Sequence, residues 1–194
     1  MSKGLIIGLS IVGVIVLSII GFVSWGTGVY DKAVSFQEGV NASWANVQAT
    51  YQRRADLIPQ LVATVKGAAE NERGILTAVT QARAGIVNAK TPDDLEIAGK
   101  QINTAINLAF EAYPQIRSTD NFSDLQTQLE GTENRINVAR QNYNNDIKDY
   151  NIFVRGFWKR SALNMFGGGE DFSVRKGFEA GADAQNAPKV DFSK

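Results

Sequence analysis

The chain has 194 residues, and its 20 basic and 20 acidic residues leave a formal net charge of zero. A neutral chain has no general attraction for phosphate backbones, so we expect no nucleic-acid partner. The sequence contains no histidine and no cysteine, which excludes thiol chemistry, histidine-based triads and Cys/His zinc sites. We therefore expect a non-enzymatic protein without metal or cofactor, built as one domain with appendages.

An uncharged apolar run, Gly4 to Trp25, dominates the amino-terminal region. As a helix it would extend about 33 Å, enough to cross the hydrocarbon core of a bilayer. Trp25 and Tyr30 stand at its far end, where aromatic rings favour the headgroup region. A cleaved signal peptide would have a shorter apolar region and a small-x-small site, which the following GTGVY fits poorly. We predict an uncleaved transmembrane anchor over residues 1–28; a buried core helix is the alternative.

Small residues in this run predict close packing with another membrane helix. Gly4 and Gly8 form a GxxxG pair, and Gly13 and Gly21 follow. Glycine is also common in spans that pack against nothing, so association is one of two interpretations. Lys3 is the positive side chain on the short side, which predicts a cytoplasmic amino terminus and a domain on the periplasmic or extracellular side.

Beyond the anchor, apolar residues recur every three or four positions, which predicts long helices. One helix, or two joined at a kink near Pro59, is expected over residues 29–90. The bundle helix could continue directly from the anchor. Short connections make neighbouring helices antiparallel. Residues 29–160 are therefore predicted to form an elongated antiparallel bundle of three to four long helices, within an all-α fold.

The boundaries of the later helices follow from capping signals. Thr91 is the expected N-cap of a helix that has Pro92 at its first position. That helix should end near Tyr113, because Pro114 disfavours helix in the residue before it. A further helix is expected from about Asn121.

Residues 161–194 are predicted to be a glycine-rich linker and an extended tail. The linker signal is FGGGED, and Phe172, Phe178 and Phe192 are spaced along the polar segment that follows. Two interpretations stay open. The tail is disordered, or it is an arm whose aromatic rings dock on its own bundle or on a neighbouring molecule.

A charged cluster interrupts the apolar stripe around Pro59, and polar residues on the last long helix could face it. We predict a structural polar layer that fixes the register of the bundle, with Arg53 paired to Glu133. The alternative is a carboxylate site in which Glu130 and Glu133 bind a metal, although it lacks the Glu-x-x-His pattern of di-iron bundles. The residues of the predicted layer are Arg53, Arg54, Asp56, Pro59, Glu130, Glu133, Asn134 and Arg140.

Asparagines on the same long helix have a separate predicted role. Asn134, Asn144 and Asn151 could satisfy backbone groups that Pro59 leaves without partners.

The segment WANVQATYQRRADLIPQLVATVKGAAENERGILTAVTQAR, residues 44–83, resembles the signature of the LemA family. A second match is LEGTENRINVARQNYNNDIKDYN, residues 129–151, and the tail from Phe178 to Phe192 is also similar. The chain departs from the family pattern after the last Y-N block, where IFVRGFWKRSALNMFGGG carries no Phe-Pro. The path of the chain after Val154 is therefore left open.

The resemblance implies a bacterial single-pass protein of the inner (cell) membrane with a long helical domain, and it implies no activity. Two functions are carried forward. The first is a membrane-anchored protein that self-assembles into a homo-oligomer and organises or remodels the membrane. The second is a tethered adaptor that docks a membrane protease, a sensor kinase or an envelope protein. The lipid bilayer is a partner in both, and any lipid preference is expected to come from the span.

Overall fold

The computed structural model describes residues 2–66, 73–112, 120–168 and 171–179, and its regular structure there is α-helical, without a β-strand. The all-α prediction is confirmed. In chain order the helices are α1 (Lys3–Asp56), α2 (Ile58–Lys66), α3 (Arg73–Asn88), α4 (Pro92–Ala112), α5 (Asp120–Arg155) and α6 (Phe157–Phe166).

The first helix, α1, runs for 54 residues from the apolar run into the domain. Gly26 and Gly28 lie within it and do not interrupt it. The bundle helix therefore continues directly from the predicted anchor. The boundary predicted at residue 28 marks a change in composition rather than a break in the helix.

The predicted kink at Pro59 is confirmed as a break between α1 and α2 at Leu57. The Leu57 N–H donates to the carbonyl of Arg54 at 3.2 Å, and the Leu57 carbonyl accepts from Gln60 and Leu61 at 3.1 Å. Pro59 is the second residue of α2, where an N–H would have no intrahelical acceptor. Proline therefore costs little at this position.

A single helix from the kink to residue 90 was predicted, and the structure instead has α2 and α3, with residues 67–72 outside the described part. Arg83 of α3 contacts Asp56 at the end of α1, with 3.4 Å between Nη2 and Oδ1, so α3 does not extend α2 in a straight line. The apolar side chains of Val65, Ala68, Ile75, Val79 and Ala82 are outside the described part of the chain, and so is the helix end predicted near Tyr113.

Helices α3 and α4 form a hairpin at residues 89–91, with α4 beginning as predicted. Asp94 N–H donates to Thr91 Oγ1 at 3.1 Å. In return, the Asp94 carboxylate accepts from the Thr91 N–H at 3.1 Å and the Lys90 N–H at 3.2 Å. This reciprocal capping box satisfies donors at the helix start. Gly85 faces Ala98 so closely that a Cβ there would be 3.4 Å from the Ala98 methyl.

The described residues fall into two compact units. The first draws on Met1–Trp44 and Asn145–Lys176, and the second on Ala45–Asn144 and Gly177–Lys194. In the first unit, Phe36 of α1 packs on Phe153 of α5, and Phe22 packs on Phe166 of α6. Within this unit α1 thus runs antiparallel to the α5–α6 segment.

Each unit has its own apolar core. The first unit buries one face of α1, the end of α5 and part of α6. The second buries the remaining part of α1, α2, the α3–α4 hairpin and the first turns of α5. The buried apolar residues of the first unit include Val29, Ala33, Val40, Ile147, Tyr150, Val154, Ala162 and Leu163. Those of the second include Val47, Tyr51, Ala55, Ile58, Leu61, Ile86, Leu95, Ala98, Ile102, Ile106, Phe122, Leu125, Leu129, Ile136 and Tyr143.

After α5 the chain breaks at Gly156 and continues as α6, so the linker predicted from residue 161 begins inside a helix. Gly167 caps α6, and Gly168 adopts a left-handed φ of 59°, which glycine tolerates at no steric cost. Residues 171–179 then form an extended arm.

Candidate functional site

Arg54 is the buried charge at the centre of the predicted polar layer. Its side chain is on the core face of α1, between Tyr51 and Ile58, and only 7% of the residue is exposed. The guanidinium forms an ion pair with Glu133 of α5. The prediction gave Glu133 to Arg53, but Arg53 is exposed. Successive residues of a helix point about 100° apart, so Arg54 faces α5 while the neighbouring Arg53 faces away from it.

A small cavity of about 70 Å³ adjoins Arg54 in the second unit. Buried polar atoms lie around it: Arg54 Nε and Asn103 Oδ1 have no hydrogen-bond partner among protein atoms. Gly99 admits the ring of Tyr51, since a Cβ there would be 2.9 Å from Tyr51 Cε1. The full lining is Tyr51, Arg54, Glu96, Gly99, Lys100, Asn103, Glu133, Ile136 and Arg140.

The charges around the cavity form a second set of contacts, one within α4 and one between α4 and α5. Glu96 accepts from Lys100 at 3.0 Å and from Arg140 at 3.5 Å. The Arg140 guanidinium also stacks over the Phe178 ring, 4.5 Å from its centroid. Sequence reasoning missed Glu96 and Lys100, although their i, i+4 spacing on α4 is a signal for an ion pair.

Burial is the main influence on the protonation of Tyr51 and Arg54 in this cluster. Burial raises the pKa of the Tyr51 phenol, although the positive charge of Arg140 opposes the shift. Burial also lowers the pKa of the Arg54 guanidinium from its ordinary value, but arginine stays protonated at neutral pH. Tyr51 is thus a neutral phenol, and the carboxylates are balanced by cations. The guanidinium groups of Arg54 and Arg140 pair with Glu133 and Glu96, and these ion pairs connect α1 and α4 to α5.

The other predicted members of the layer lie at the surface. Asp56 accepts from Gln52 at 2.9 Å and from Arg83 at 3.4 Å. Glu130 accepts from Gln126 at 2.9 Å. Asn134 and Arg53 line the same open surface depression of the second unit, and Pro59 is exposed. These residues surround the buried pair without joining it.

The alternative of a metal at Glu130 and Glu133 finds no support in the described part of the chain. There, no three Asp or Glu residues cluster closely enough to hold an ion. Glu130 is bound to Gln126, and Glu133 to Arg54.

Asn144 and Asn151 hold the extended arm, which corrects their predicted role at Pro59. Asn144 accepts from the Phe178 N–H at 2.8 Å and donates to the Phe178 carbonyl at 2.9 Å. Asn151 does the same with Arg175, at 3.0 and 2.9 Å. The Asn144 and Asn151 side chains therefore pair with the backbone of the arm and not with the backbone at the break near Pro59.

Aromatic rings fasten the arm to the helices within each unit. Phe178 is buried and meets Tyr143 edge-on, with ring centroids 5.7 Å apart. Phe172 meets Tyr30 edge-on at 5.8 Å. The Tyr150 hydroxyl donates to the Ser173 carbonyl at 3.0 Å. For residues 171–179 the docked-arm interpretation is confirmed, while Phe192 lies outside the described residues.

The apolar run forms the other candidate site, as the amino-terminal part of α1. It is the candidate membrane span among the described helices, and none of its most apolar window is buried inside the protein. A Cβ at Gly4, Gly8, Gly13 or Gly21 would meet nothing within 4 Å. At its end, Trp25 packs on Phe22 with centroids 6.0 Å apart. The predicted packing residues therefore lie on a surface that the chain does not itself cover.

Comparison with known proteins agrees with this architecture. Residues 43–192 match the LemA family. A relative named Protein LemA from Metamycoplasma hominis is 25% identical over 116 residues, which cover 58% of this chain. The aligned region spans about half of that relative, 53% of its length. The family match includes the Arg54–Glu133 pair, both arm-holding asparagines and the arm itself, and the chain belongs to the LemA family.

Proposed function

We infer that the chain is a non-enzymatic, membrane-anchored helical protein that assembles with copies of itself in the bilayer and thereby organises or remodels the membrane. The main support for this proposal is the uncovered apolar surface of α1, where large side chains from Leu5 to Val23 are about half exposed. Exposing so much apolar surface to water would be very unfavourable. Lipid and a second copy of the same helix are the environments that such a surface suits.

The arrangement of glycines around α1 supports self-assembly. At about 100° per residue, Gly13 and Gly21 lie within about 80° of each other. Gly26, against which the Phe166 ring packs, points about 140° away from both. The face with Gly13 and Gly21 is thus turned away from α6, and its small residues allow a neighbouring helix to approach closely.

The buried charges favour a scaffold over an enzyme. The cavity at Arg54 is small, at about 70 Å³, whereas ligand pockets usually exceed about 300 Å³. Both of its carboxylates, Glu96 and Glu133, are already paired with cations. We assign the cluster to the rigidity and register of the helices, which a repeating assembly requires of each subunit.

Cysteine cross-linking in intact membranes tests the assembly. The natural chain has no cysteine, so single substitutions from Leu9→Cys to Leu17→Cys report on contacts between copies without background. We expect disulfide-linked dimers to peak every three to four positions, strongest at Ser10→Cys, Gly13→Cys and Leu17→Cys. A matched control is Thr127→Cys, an exposed position on α5.

Two results would count against self-assembly. Equal cross-linking at all nine positions would indicate random collisions. Cross-linking no stronger than that of Thr127→Cys would indicate a monomer. If the monomer instead forms one defined adduct with another membrane protein, the adaptor function replaces the scaffold.

A further inference from the structure

Helix α6 presents an apolar surface that its own unit does not cover. The helix buries Ala162 and Leu163, yet Phe157, Trp158 and Met165 are 75%, 72% and 68% exposed. The rings of Phe157 and Trp158 lie edge-on to each other, 5.1 Å between centroids. Exposed aromatic patches of this kind mark interaction surfaces.

The charges of this segment are all positive, although the whole chain is neutral. Between Ile152 and Phe166 the charged residues are Arg155, Lys159 and Arg160, without an aspartate or a glutamate. The Lys159 ammonium lies 4.4 Å from the centroid of the Phe153 ring. Tryptophan, phenylalanine and basic residues together on a short helix are typical of helices that bind membrane surfaces.

The end of α6 lies against the end of the candidate span. The Phe166 ring packs on Phe22, with centroids 5.7 Å apart. It occupies the space above Gly26, where any Cβ would overlap the ring. The end of α6 therefore lies beside the apolar run of α1, which faces lipid in the proposed function.

The first turn of α6 lies beside the part of α1 where charged residues resume after the apolar run. Phe153 contacts Phe36, and Phe166 contacts Phe22. As helix, the segment from Phe153 to Phe166 rises about 20 Å and the segment from Phe22 to Phe36 about 21 Å. By this antiparallel match, Phe157 to Arg160 lie beside about residues 29–32. Asp31 and Lys32 are the first charged residues after the apolar run, so this level corresponds to the headgroup layer.

A cavity of about 370 Å³ lies beside α6 and provides space for a headgroup. Arg155 and Arg160 line it, together with Asn164 and the arm residues 171–174. The carboxylate of Asp171 is in the same wall, but it accepts hydrogen bonds from the Ser173 N–H at 2.9 Å and from the Ser173 hydroxyl at 3.1 Å. Two guanidinium groups thus border a space next to the bilayer, and guanidinium binds phosphate oxygens well.

We propose that α6 is an interfacial helix that binds anionic phospholipid beside the span. Phe157, Trp158 and Met165 enter the headgroup and upper acyl region, and Arg155 and Arg160 hold the lipid phosphate. The proposal rests on the proposed function, because it requires the span to be in a bilayer. It places a wedge in one leaflet only, which is a physical means of bending a membrane.

Tryptophan quenching in vesicles tests the location of α6 with the full chain. The three tryptophans are Trp25, Trp44 and Trp158, and replacing two at a time by phenylalanine leaves a single reporter. The vesicles contain phosphatidylcholine brominated near the top of the acyl chains. We expect quenching of Trp25 and Trp158, and none of Trp44, which lies well beyond the apolar run.

The three reporters separate the possible failures. Quenching of Trp25 with none of Trp158 overturns the interfacial helix and leaves the anchor intact. Absence of quenching at Trp25 overturns the anchor, and the interfacial helix with it. If Trp158 is unquenched and its emission depends on protein density, a second copy covers α6 and the lipid proposal is wrong.

Lipid charge tests the arginines. Brominated phosphatidylglycerol should be enriched near Trp158 relative to brominated phosphatidylcholine, by roughly fivefold for each arginine that contacts a phosphate. Arg155→Gln with Arg160→Gln should abolish the enrichment. The control pair Lys90→Gln and Lys148→Gln, both exposed, should keep it. Equal quenching by the two lipids in the natural chain overturns the binding of anionic phospholipid, because both lipids carry a phosphate and differ in net charge.

Discussion

Arg54 and Arg53 are adjacent residues of the same type in different environments. Arg54 is buried and paired with Glu133, while Arg53 is exposed. The Glu133 side chain is itself 43% exposed, so solvent screens the ion pair and its net contribution is small. The larger contribution of Arg54 is the packing of its side chain, which is buried between α1 and α5.

We therefore expect Arg54→Ala to lower the free energy of unfolding by about 1–3 kcal/mol. Arg53→Ala, the matched control, should change it by less than about 0.5 kcal/mol. Unfolding of the full chain in detergent, followed by circular dichroism, measures both. Equal losses in the two variants would show that Arg54 is not a core residue.

Asp94 provides a pH-dependent contribution at the start of α4. Hydrogen bonds from the Thr91 hydroxyl and from the Lys90 and Thr91 amides lower the pKa of its carboxyl. A depressed folded-state pKa means that the ionised cap stabilises the protein above the unfolded pKa, about 3.9. That stabilisation is lost as the pH falls through the lower, folded value.

Asp94→Ala should thus lower the melting temperature at pH 7, and the difference from the natural chain should shrink below about pH 4. Asp93→Ala is the control, because Asp93 lies beside it in the same helical turn. Thermal melts of the two variants and the natural chain at pH 7 and pH 3 measure these differences in melting temperature. A difference that is the same at both pH values would rule out the charged cap.

At the scale of elements, the extended arm is held by backbone hydrogen bonds and by one buried ring. Phe178→Ala removes that ring from Tyr143 and Arg140. Losing its burial should raise amide exchange in residues 171–179 roughly ten- to a hundredfold. Val174→Ala, at an exposed arm position, should leave exchange unchanged. Hydrogen–deuterium exchange mass spectrometry measures both, and an unchanged Phe178→Ala profile would mean that the asparagines alone hold the arm.

The sequence predicted those elements whose signals are local. The capping residues Thr91 and Pro92 located the start of α4, and Pro59 located the break after α1. The sequence did not predict which arginine faces Glu133, because that choice depends on the helix phase just before the break. It also assigned Asn144 and Asn151 to the wrong backbone, since their partners lie 34 and 24 residues away and leave no local pattern.

At the scale of the whole molecule, the predicted and described architectures agree on a long helix that begins as an apolar run and ends in a packed helical domain. In the described residues, the buried guanidinium of Arg54 is paired with Glu133, and each unit has its own apolar core. The apolar run and α6 remain uncovered, and these two surfaces are where we place lipid and further copies of the chain. The function that we propose therefore depends on these two surfaces and on the cavity beside α6.

The mass of the particle extracted in mild detergent tests self-assembly most directly, by mass photometry with negative-stain imaging. We expect a uniform particle of many copies, each of 21.1 kDa, with bound lipid. Gly13→Leu with Gly21→Leu should shrink it, because the added side chains keep neighbouring helices apart. Val12→Leu with Ile20→Leu, which has the same spacing, should not. A natural chain that is monomeric in this measurement would contradict the account.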